Sequence, residues 1–193
     1  MPGTTRYARK VWELRRILDT IDGQIAEVSL ELICEARRLA QQLGAVVTAV
    51  ALGSKLTDVL PSLGNYGCKT VYYVEDERLS HFTSHPYAKS VVGVIRKYEP
   101  VIVLFGATII GRDVAPRIAS ALKCGLTADC TELQIGEHKT RQQNYQNTLL
   151  QVRPAFGGNI MATIVSPESV PSMATVRPGV MKLDAPDASL NAE

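Results

Sequence analysis

Between residues 30 and 125 the sequence alternates between two hydrophobic periods, and this alternation restricts the fold more than any other feature. Apolar residues recur at helical spacing from Leu30 to Leu43, and a continuous apolar run, AVVTAVAL at 45–52, follows directly. TVYYV at 70–74 and VIVLF at 101–105 repeat the strand pattern. Strands alternating with helices through short links require right-handed crossovers and parallel pairing. The sequence therefore predicts an α/β fold: three layers, with a mostly parallel sheet and helices on both faces.

Capping residues and helix breakers predict where the helices begin and end. Ser29 is available as the N-cap of the first helix, and Gly44 follows its last periodic residue. A second helix opens at Ser54, and Pro61 should break it after about two turns. A later helix is predicted within residues 111–125, ending at its terminal glycine.

Beyond Gly125 the pattern changes to short β-like segments with no helix between them. We expect these segments to add antiparallel pairs at the sheet edge or to form a small second sheet. They are LTADCTELQI, NTLLQVRPAF, NIMATIVS and SMATVRP. The polar stretch at 136–147 is interpreted as a poorly ordered hairpin loop. Residues 1–181 are predicted to form the domain, and the small polar residues 182–193 a linker or tail.

The amino-terminal segment is ambiguous. A first strand is expected near Tyr7 to Ile17, yet KVWELRRIL at 10–18 suits an edge strand or a helix about equally. Asp22-Gly23 indicates a turn before the first clear helix.

Charge and composition exclude several functional classes. The net charge is +2, from 21 basic and 19 acidic residues, so no basic surface indicates binding to nucleic acid or to an acidic membrane. No apolar window is long enough to span a membrane, and no secretory signal opens the chain, so we expect a soluble intracellular protein without membrane insertion. The four cysteines form no CxxC pair, and no metal site is predicted.

The first candidate site is the loop GATIIGRD at 106–113, which leaves the most strand-like run. Ligands of open α/β sheets bind outside the carboxyl ends of the strands. Gly106 and Gly111 allow close backbone approach, Thr108 offers a hydroxyl, and a helix starting near Arg112 would supply N–H groups and a fixed charge. The alternative, weighted equally, is that Asp113 interacts with the helix start and Arg112 pairs on the surface.

A second candidate lies between two predicted β segments. Its members, an arginine, an aromatic ring, two glycines and an amide, could lie against a flat ligand. They are Arg153, Phe156, Gly157, Gly158 and Asn159. By pattern alone a plain hairpin turn at the glycines is the stronger interpretation. Residues Thr127, Ala128 and Asp129, and the Arg177-Pro178-Gly179 turn, are weaker signals of the same kind.

Several familiar catalytic signatures are absent. The sequence contains no GxGxxG after a strand, no GxxxxGK[ST] phosphate loop and no GxSxG nucleophile motif. Without these motifs, the sequence does not indicate an active site that this chain forms by itself.

Four segments nevertheless resemble segments of one protein family and occur in the same order as in that family: FGATIIGRD, GLTADC, RPAFGGNIMATI and ATVRPGVM. From about Val28 to Met181 the chain resembles the alpha (large) subunit of electron-transfer flavoproteins. The Arg-Pro-Gly-Val-Met form at 177–181 is more similar to the bacterial branch, which includes flavin-bifurcating members.

The resemblance implies the amino-terminal, adenine-nucleotide-hydrolase-like domain of a heterodimer that passes electrons through FAD. It implies a beta subunit as partner and an acyl-CoA or other dehydrogenase as donor, in the bacterial cytoplasm more than in the mitochondrial matrix. Arg153, Phe156 to Asn159 and the 127–129 segment become the flavin-facing residues. The family's FAD-holding carboxyl-terminal domain lies outside these 193 residues, so this chain alone is not expected to be catalytic.

Two other functions are weighed beside it. A stand-alone adenine-nucleotide-binding module would need a glycine-rich phosphate loop late in the fold, and a small-molecule enzyme at GATIIGRD would need a proton-transfer pair. Neither feature is present.

Overall fold

The computed structural model describes residues 13–17, 20–21, 24–155, 157 and 160–190. The strands in chain order are β1 (Glu13–Ile17), β2 (Thr20–Ile21), β3 (Gln24–Ile25), β4 (Val46–Gly53), β5 (Thr70–Glu75), β6 (Ile102–Gly106), β7 (Leu126–Cys130), β8 (Glu132–Lys139), β9 (Asn144–Ala155), β10 (Ile160–Ile164) and β11 (Ser172–Val176). The α-helices are α1 (Glu27–Leu43), α2 (Ser84–Tyr98) and α3 (Ile109–Leu122), and short 3-10 helices span Leu60–Tyr66 and Glu77–Leu79.

The main sheet has six parallel strands in the order β5-β4-β1-β6-β11-β7. One face is covered by α1 and the other by α2 and α3, each with its own buried apolar cluster. The predicted three-layer α/β architecture is confirmed. Strands β4 and β6 are apolar along their length because both of their faces are covered.

Helix α1 shows which boundary signal was right. Gly44 ends it in the left-handed conformation, at φ 63°, and donates its N–H to the Ala40 carbonyl, as predicted. The N-cap is Ala26 rather than Ser29, which lies fully buried inside the first turn. The helix starts earlier because Glu27 and Val28 extend it before the periodic stripe begins.

The second predicted helix was wrong. Residues 54–59 form turns, and Pro61 lies in the first turn of the 3-10 helix Leu60–Tyr66 instead of ending an α-helix. Proline suits a first turn because the N–H that it lacks has no intrahelical partner there.

In the carboxyl-terminal third the predicted small second sheet is confirmed, whereas the predicted antiparallel pairs at the edge of the main sheet are wrong, because the strands that join it pair in parallel. Strands β8, β9 and β10 form a separate antiparallel sheet, in the order β10-β9-β8, whereas β7 and β11 join the main parallel sheet. The predicted long loop at 136–147 was wrong, because strand pairing continues to Lys139 and resumes at Asn144. Only residues 140–143 turn, closed by the Thr140 N–H donating to the Gln143 carbonyl at 2.8 Å.

Strand β1 settles the amino-terminal ambiguity over its described residues. It is a strand, and it lies at the centre of the sheet between β4 and β6 instead of at the edge. The predicted turn residues Asp22 and Gly23 lie outside the described residues, although the strands on either side of them pair antiparallel.

Residues 182–190 carry no helix or strand and lie against the domain. Arg37 of α1 pairs with Asp184 at 2.8 Å, and the Asp187 N–H donates to the Asn65 carbonyl at 2.8 Å. This described part of the predicted tail is thus held by specific contacts. Separately, no helix among the described residues has the length and apolarity needed to cross a membrane.

Candidate functional site at the carboxyl edge of the sheet

The carboxyl ends of β6, β11 and β7 lie side by side and continue into hydrogen-bonded loops. Gly106 pairs with Val176, and Val176 pairs with Cys130. Beyond the last pairs, the Ala107 N–H donates to the Val176 carbonyl at 2.7 Å, and the Arg177 N–H donates to the Cys130 carbonyl at 3.0 Å. This is the edge at which ligands of parallel sheets bind.

The turn from β6 into α3 tolerates only glycine at one position. A Cβ placed on Gly111 would lie 1.9 Å from the Gly106 carbonyl oxygen, inside any contact distance. Thr108 is the N-cap, and its Oγ1 accepts the Gly111 N–H at 3.1 Å. The close approach that the structure shows at these two glycines is between segments of this chain's own backbone, and their role towards a ligand stays a prediction.

Helix α3 begins at Ile109, three residues earlier than predicted. The Arg112 N–H already bonds to the Thr108 carbonyl at 2.9 Å, so Arg112 offers a side chain but no free N–H. Apolar residues at 109 and 110 hid this start, and Ile109 is 89% exposed. The far end also differs, since Lys123, not Gly125, ends the helix in the left-handed conformation.

Arg112 connects the β6 loop to β7. Its Nε donates to the Ala107 carbonyl at 2.8 Å, and its terminal nitrogen lies 3.2 Å from Asp129 Oδ1. Asp113 instead pairs with Arg117 on α3 at 3.0 Å. Hydrogen bonds from Arg117 and then Ser84 hold the pKa of the Asp113 carboxyl below its ordinary value. Arg112 thus forms an ion pair with its side chain exposed, as the alternative expected, whereas Asp113 pairs with Arg117 and not with the helix start.

A β-bulge aims Asp129 at this arginine. The β7–β11 register shifts between Ala174 and Val176, and Asp129 adopts a φ of 60°. Its N–H donates to Thr175 Oγ1 at 2.9 Å, a contact that the spacing of the sequence could not reveal. Bulges of this kind redirect a side chain at the end of a strand. Of the neighbours predicted with Asp129, Thr127 is buried and Ala128 is exposed.

Arg153 reaches the same edge from the antiparallel sheet. It lies on β9, half-buried, and pairs with Ala162 of β10. Arg153 directly follows Val152, whose carbonyl accepts the Thr131 N–H at 2.9 Å, so this part of β9 lies beside the end of β7. The structure therefore brings the strand that carries Arg153 next to the strand that carries Asp129.

The remaining members of the second cluster are only partly described. Gly157 is exposed, with a φ of 72°, while Phe156, Gly158 and Asn159 lie outside the described residues. Ala155 of β9 pairs with Ile160 of β10, so the segment between them is the connection of a hairpin. The hairpin interpretation is confirmed for the pairing, and the flavin-facing role of these residues stays a prediction.

Buried polar atoms without a hydrogen-bond partner concentrate near this edge. Among the described residues they are Thr131 Oγ1 and both amide atoms of Gln151, with Asp113 Oδ2 elsewhere, while Asp129 Oδ1 has the ion pair with Arg112 but no hydrogen bond. Gln151 is two residues before Arg153 on β9, so alternation places both side chains on one face of the sheet. Guanidinium groups beside partly unsatisfied polar groups suit a flat, polar, anionic ligand, and the residues present fit the flavin that the resemblance implies.

Strand β10 and the loop after it expose an apolar surface. Ile160, Met161, Ile164 and Val170 are exposed by 54%, 55%, 38% and 51%. We call these four residues the β10 surface. Large exposed apolar side chains grouped on an edge strand mark an interaction surface.

The fold and its carboxyl edge define the class: a three-layer α/β domain with a six-stranded parallel sheet and a second, antiparallel sheet whose outer strand exposes apolar side chains. The model of the electron transfer flavoprotein domain matches residues 16–193. This chain belongs to that family.

Curated relatives agree, and they come from bacteria. The chain is 47% identical over 161 residues to the electron transfer flavoprotein subunit alpha of Thermoanaerobacterium thermosaccharolyticum, covering 83% of this chain and 46% of that protein. It is 42% identical over 160 residues to lactate dehydrogenase (NAD(+),ferredoxin) subunit LctC of Acetobacterium woodii, covering 83% of this chain and 36% of the relative. Protein FixB of Rhizobium meliloti is 37% identical over 185 residues, covering 94% of this chain and 49% of that protein. The chain thus spans about half the length of these relatives or less, and the stand-alone nucleotide-binding module is not favoured.

Proposed function

We propose that this chain is the amino-terminal α/β domain of an electron-transfer flavoprotein alpha subunit, and that it frames a flavin pocket in a complex with a beta subunit. The observation that carries the proposal is the Arg112–Asp129 ion pair at the carboxyl edge of the main sheet, with the Arg153 segment of β9 bonded through Val152 to Thr131 beside it. Family membership supports it, since relatives that this chain resembles are named alpha subunits.

The chain's own residues would orient the flavin and adjust its electrostatic environment. When bound, FAD supplies the one- and two-electron chemistry, which no side chain here can perform. Arg153 would donate hydrogen bonds to the ring edge and favour its reduced, anionic form. Asp129 would hold Arg112 in place through the ion pair at 3.2 Å, so that the loop after β6 keeps its position.

The β10 surface supports a protein partner beside the cofactor. Strand β10 is the outer strand of its sheet and exposes apolar side chains next to the hairpin that follows Arg153. A beta subunit covering this surface would also exclude water from the flavin. An acyl-CoA or other dehydrogenase would supply the electrons, in the bacterial cytoplasm, and flavin bifurcation depends on the other chains of the complex.

The test begins with the protein purified with its native partners. Native mass spectrometry should show this chain, alone or within a longer polypeptide, together with a second subunit and a flavin-sized mass. A preparation that never binds flavin or a second subunit would contradict the proposal.

Substitution then tests the site itself. Arg153→Gln should weaken flavin binding in the complex by about tenfold, or lower the flavin midpoint potential, because a charge-assisted hydrogen bond is lost. The matched control is Arg141→Gln, which removes an exposed arginine from the turn between β8 and β9. Equal affinities and potentials for the two variants would remove Arg153 from the site.

A further inference from the structure

Helix α1 holds a buried carboxylate that is bonded to the far end of the chain. Glu31 is 4% exposed, and its two oxygens accept the Gly179 N–H at 3.1 and 3.0 Å. Within the described part of the chain, no basic side chain forms an ion pair with it. A carboxylate is costly to bury without a cation, so packing alone does not explain this residue.

The bond fixes the turn that follows β11. At the start of that turn, the Arg177 N–H donates to the Cys130 carbonyl at 3.0 Å. At its end, Gly179 adopts a φ of 75°, which favours glycine, and bonds to Glu31. Both ends of Arg177-Pro178-Gly179 are therefore held against the domain, although the turn itself is exposed.

The fixed turn places a third arginine at the carboxyl edge. Arg177 follows the strand that lies between β6 and β7, one strand spacing from the loop that carries Arg112 and from the bulge that carries Asp129. Its side chain is exposed and has no hydrogen-bond or ion-pair partner among the described residues. Arg112, by contrast, is already paired with Asp129.

We infer that Arg177 contacts an anionic group of the cofactor bound at this edge, and that Glu31 is the positioning residue that holds Arg177 there. The inference rests on the proposed function and adds two residues to it. The anionic group is either a phosphate or the reduced ring, and both attract a guanidinium.

The experiment measures flavin affinity and midpoint potential in the purified complex. Arg177→Gln should weaken binding of the oxidised flavin by about tenfold if the contact is to phosphate. If the contact is to the reduced ring, the same variant should lower the potential and leave the affinity for the oxidised flavin unchanged. A variant with wild-type affinity and potential would overturn the inference.

Glu31 is tested through its dependence on Arg177. Glu31→Ala should reproduce the Arg177→Gln effect, and the double variant should lose nothing further, because the two residues act as one unit. Glu31→Gln keeps an acceptor oxygen for Gly179, so it should retain most of the wild-type flavin affinity and potential, and it also serves if the alanine variant folds poorly.

Glu35→Ala is the matched control. Glu35 lies on the same helix and is 8% exposed, but it pairs with Arg38 and does not bond to the turn. If the Glu31→Ala and Arg177→Gln changes in flavin affinity or potential are additive, Glu31 does not act through Arg177. If Glu35→Ala changes flavin affinity or potential as much as Glu31→Ala does, the cause is a general loss of stability. Either result would overturn the role of Glu31. A wild-type complex that binds no flavin would instead contradict the proposed function.

Discussion

Strands β6 and β10 have the same length and similar apolar sequences, IVLFG and IMATI, yet opposite surroundings. Every residue of β6 is buried, whereas four of the five residues of β10 are exposed. Strand β6 lies between two strands and beneath helices on both faces, while β10 has a neighbour on one side only. Apolar composition alone therefore does not tell whether a strand's packing partner belongs to the same chain.

The difference separates two roles of apolar surface in this domain: stabilising the fold and binding a partner. In the parallel sheet it stabilises the fold, because each side chain is removed from water by the chain itself. On the β10 surface the same gain would come only with association. Substitutions in the two strands should consequently separate stability from binding.

The largest effect is expected in β6. Phe105 is 1% exposed in the cluster beneath α2 and α3, so Phe105→Ala should lower the free energy of unfolding by about 4 kcal/mol. Met161→Ala on β10, at 55% exposure, should change it by less than about 0.5 kcal/mol. Urea unfolding of both variants makes the measurement. If Met161→Ala lowered the free energy of unfolding as much as Phe105→Ala does, the β10 surface would be buried by other parts of this chain in solution.

A smaller loss is expected at the loop after β6. Gly111→Ala should cost about 3 kcal/mol, because a Cβ cannot fit 1.9 Å from the Gly106 oxygen without moving the turn. Gly93→Ala on α2 is the control, since nothing lies within 4 Å of its added Cβ. It should stabilise the helix by about 0.5–1 kcal/mol. Thermal unfolding of both variants tests the sign, and two equal shifts would argue against the close approach.

The smallest effect concerns the contact between the two sheets, where Cys130 is fully buried beside Leu133 of β8 and Leu149 of β9. Burial raises the pKa of its thiol to about 11, so between roughly pH 9 and pH 11 the folded state holds a proton that the unfolded chain has lost. The free energy of unfolding should fall by about 2 kcal/mol over that range from this group.

Comparing wild type with Cys130→Ala isolates that contribution, since lysines and tyrosines titrate in both proteins. Stability measured from pH 8 to pH 11 should fall more steeply in the wild type. Parallel profiles would show that water reaches the thiol and that the two sheets separate more readily than their packing indicates.

The sequence predicts those features that depend on neighbours along the chain. Strand β6 is evident because its apolar run is continuous, and the end of α1 is evident because Gly44 adopts the left-handed cap conformation without strain. The start of α3 is missed because two isoleucines follow Thr108 and conceal the cap.

The missing parts of the candidate site depend on contacts between distant segments. Arg112 contacts Asp129 only because β6 and β7 flank β11. A β-bulge orients the Asp129 side chain, and the residue types in the sequence do not predict that bulge. Glu31 and Gly179 are still farther apart in sequence, and helical periodicity indicates only that Glu31 belongs to α1. Prediction from the sequence therefore identifies the candidate residues but not the bonds that assemble them.

The position of β11 has a consequence for how the protein forms during translation. Strand β7 leaves the ribosome well before β11, yet β11 is the strand that joins it to β6. Until Ser172–Val176 has been synthesised, no described strand pairs β7 with β6. Strand β11 pairs with β6 and β7, which are synthesised much earlier. Such pairing between distant segments raises the contact order, and a high contact order slows folding. A nascent chain should accordingly gain its native resistance to proteases in one late step.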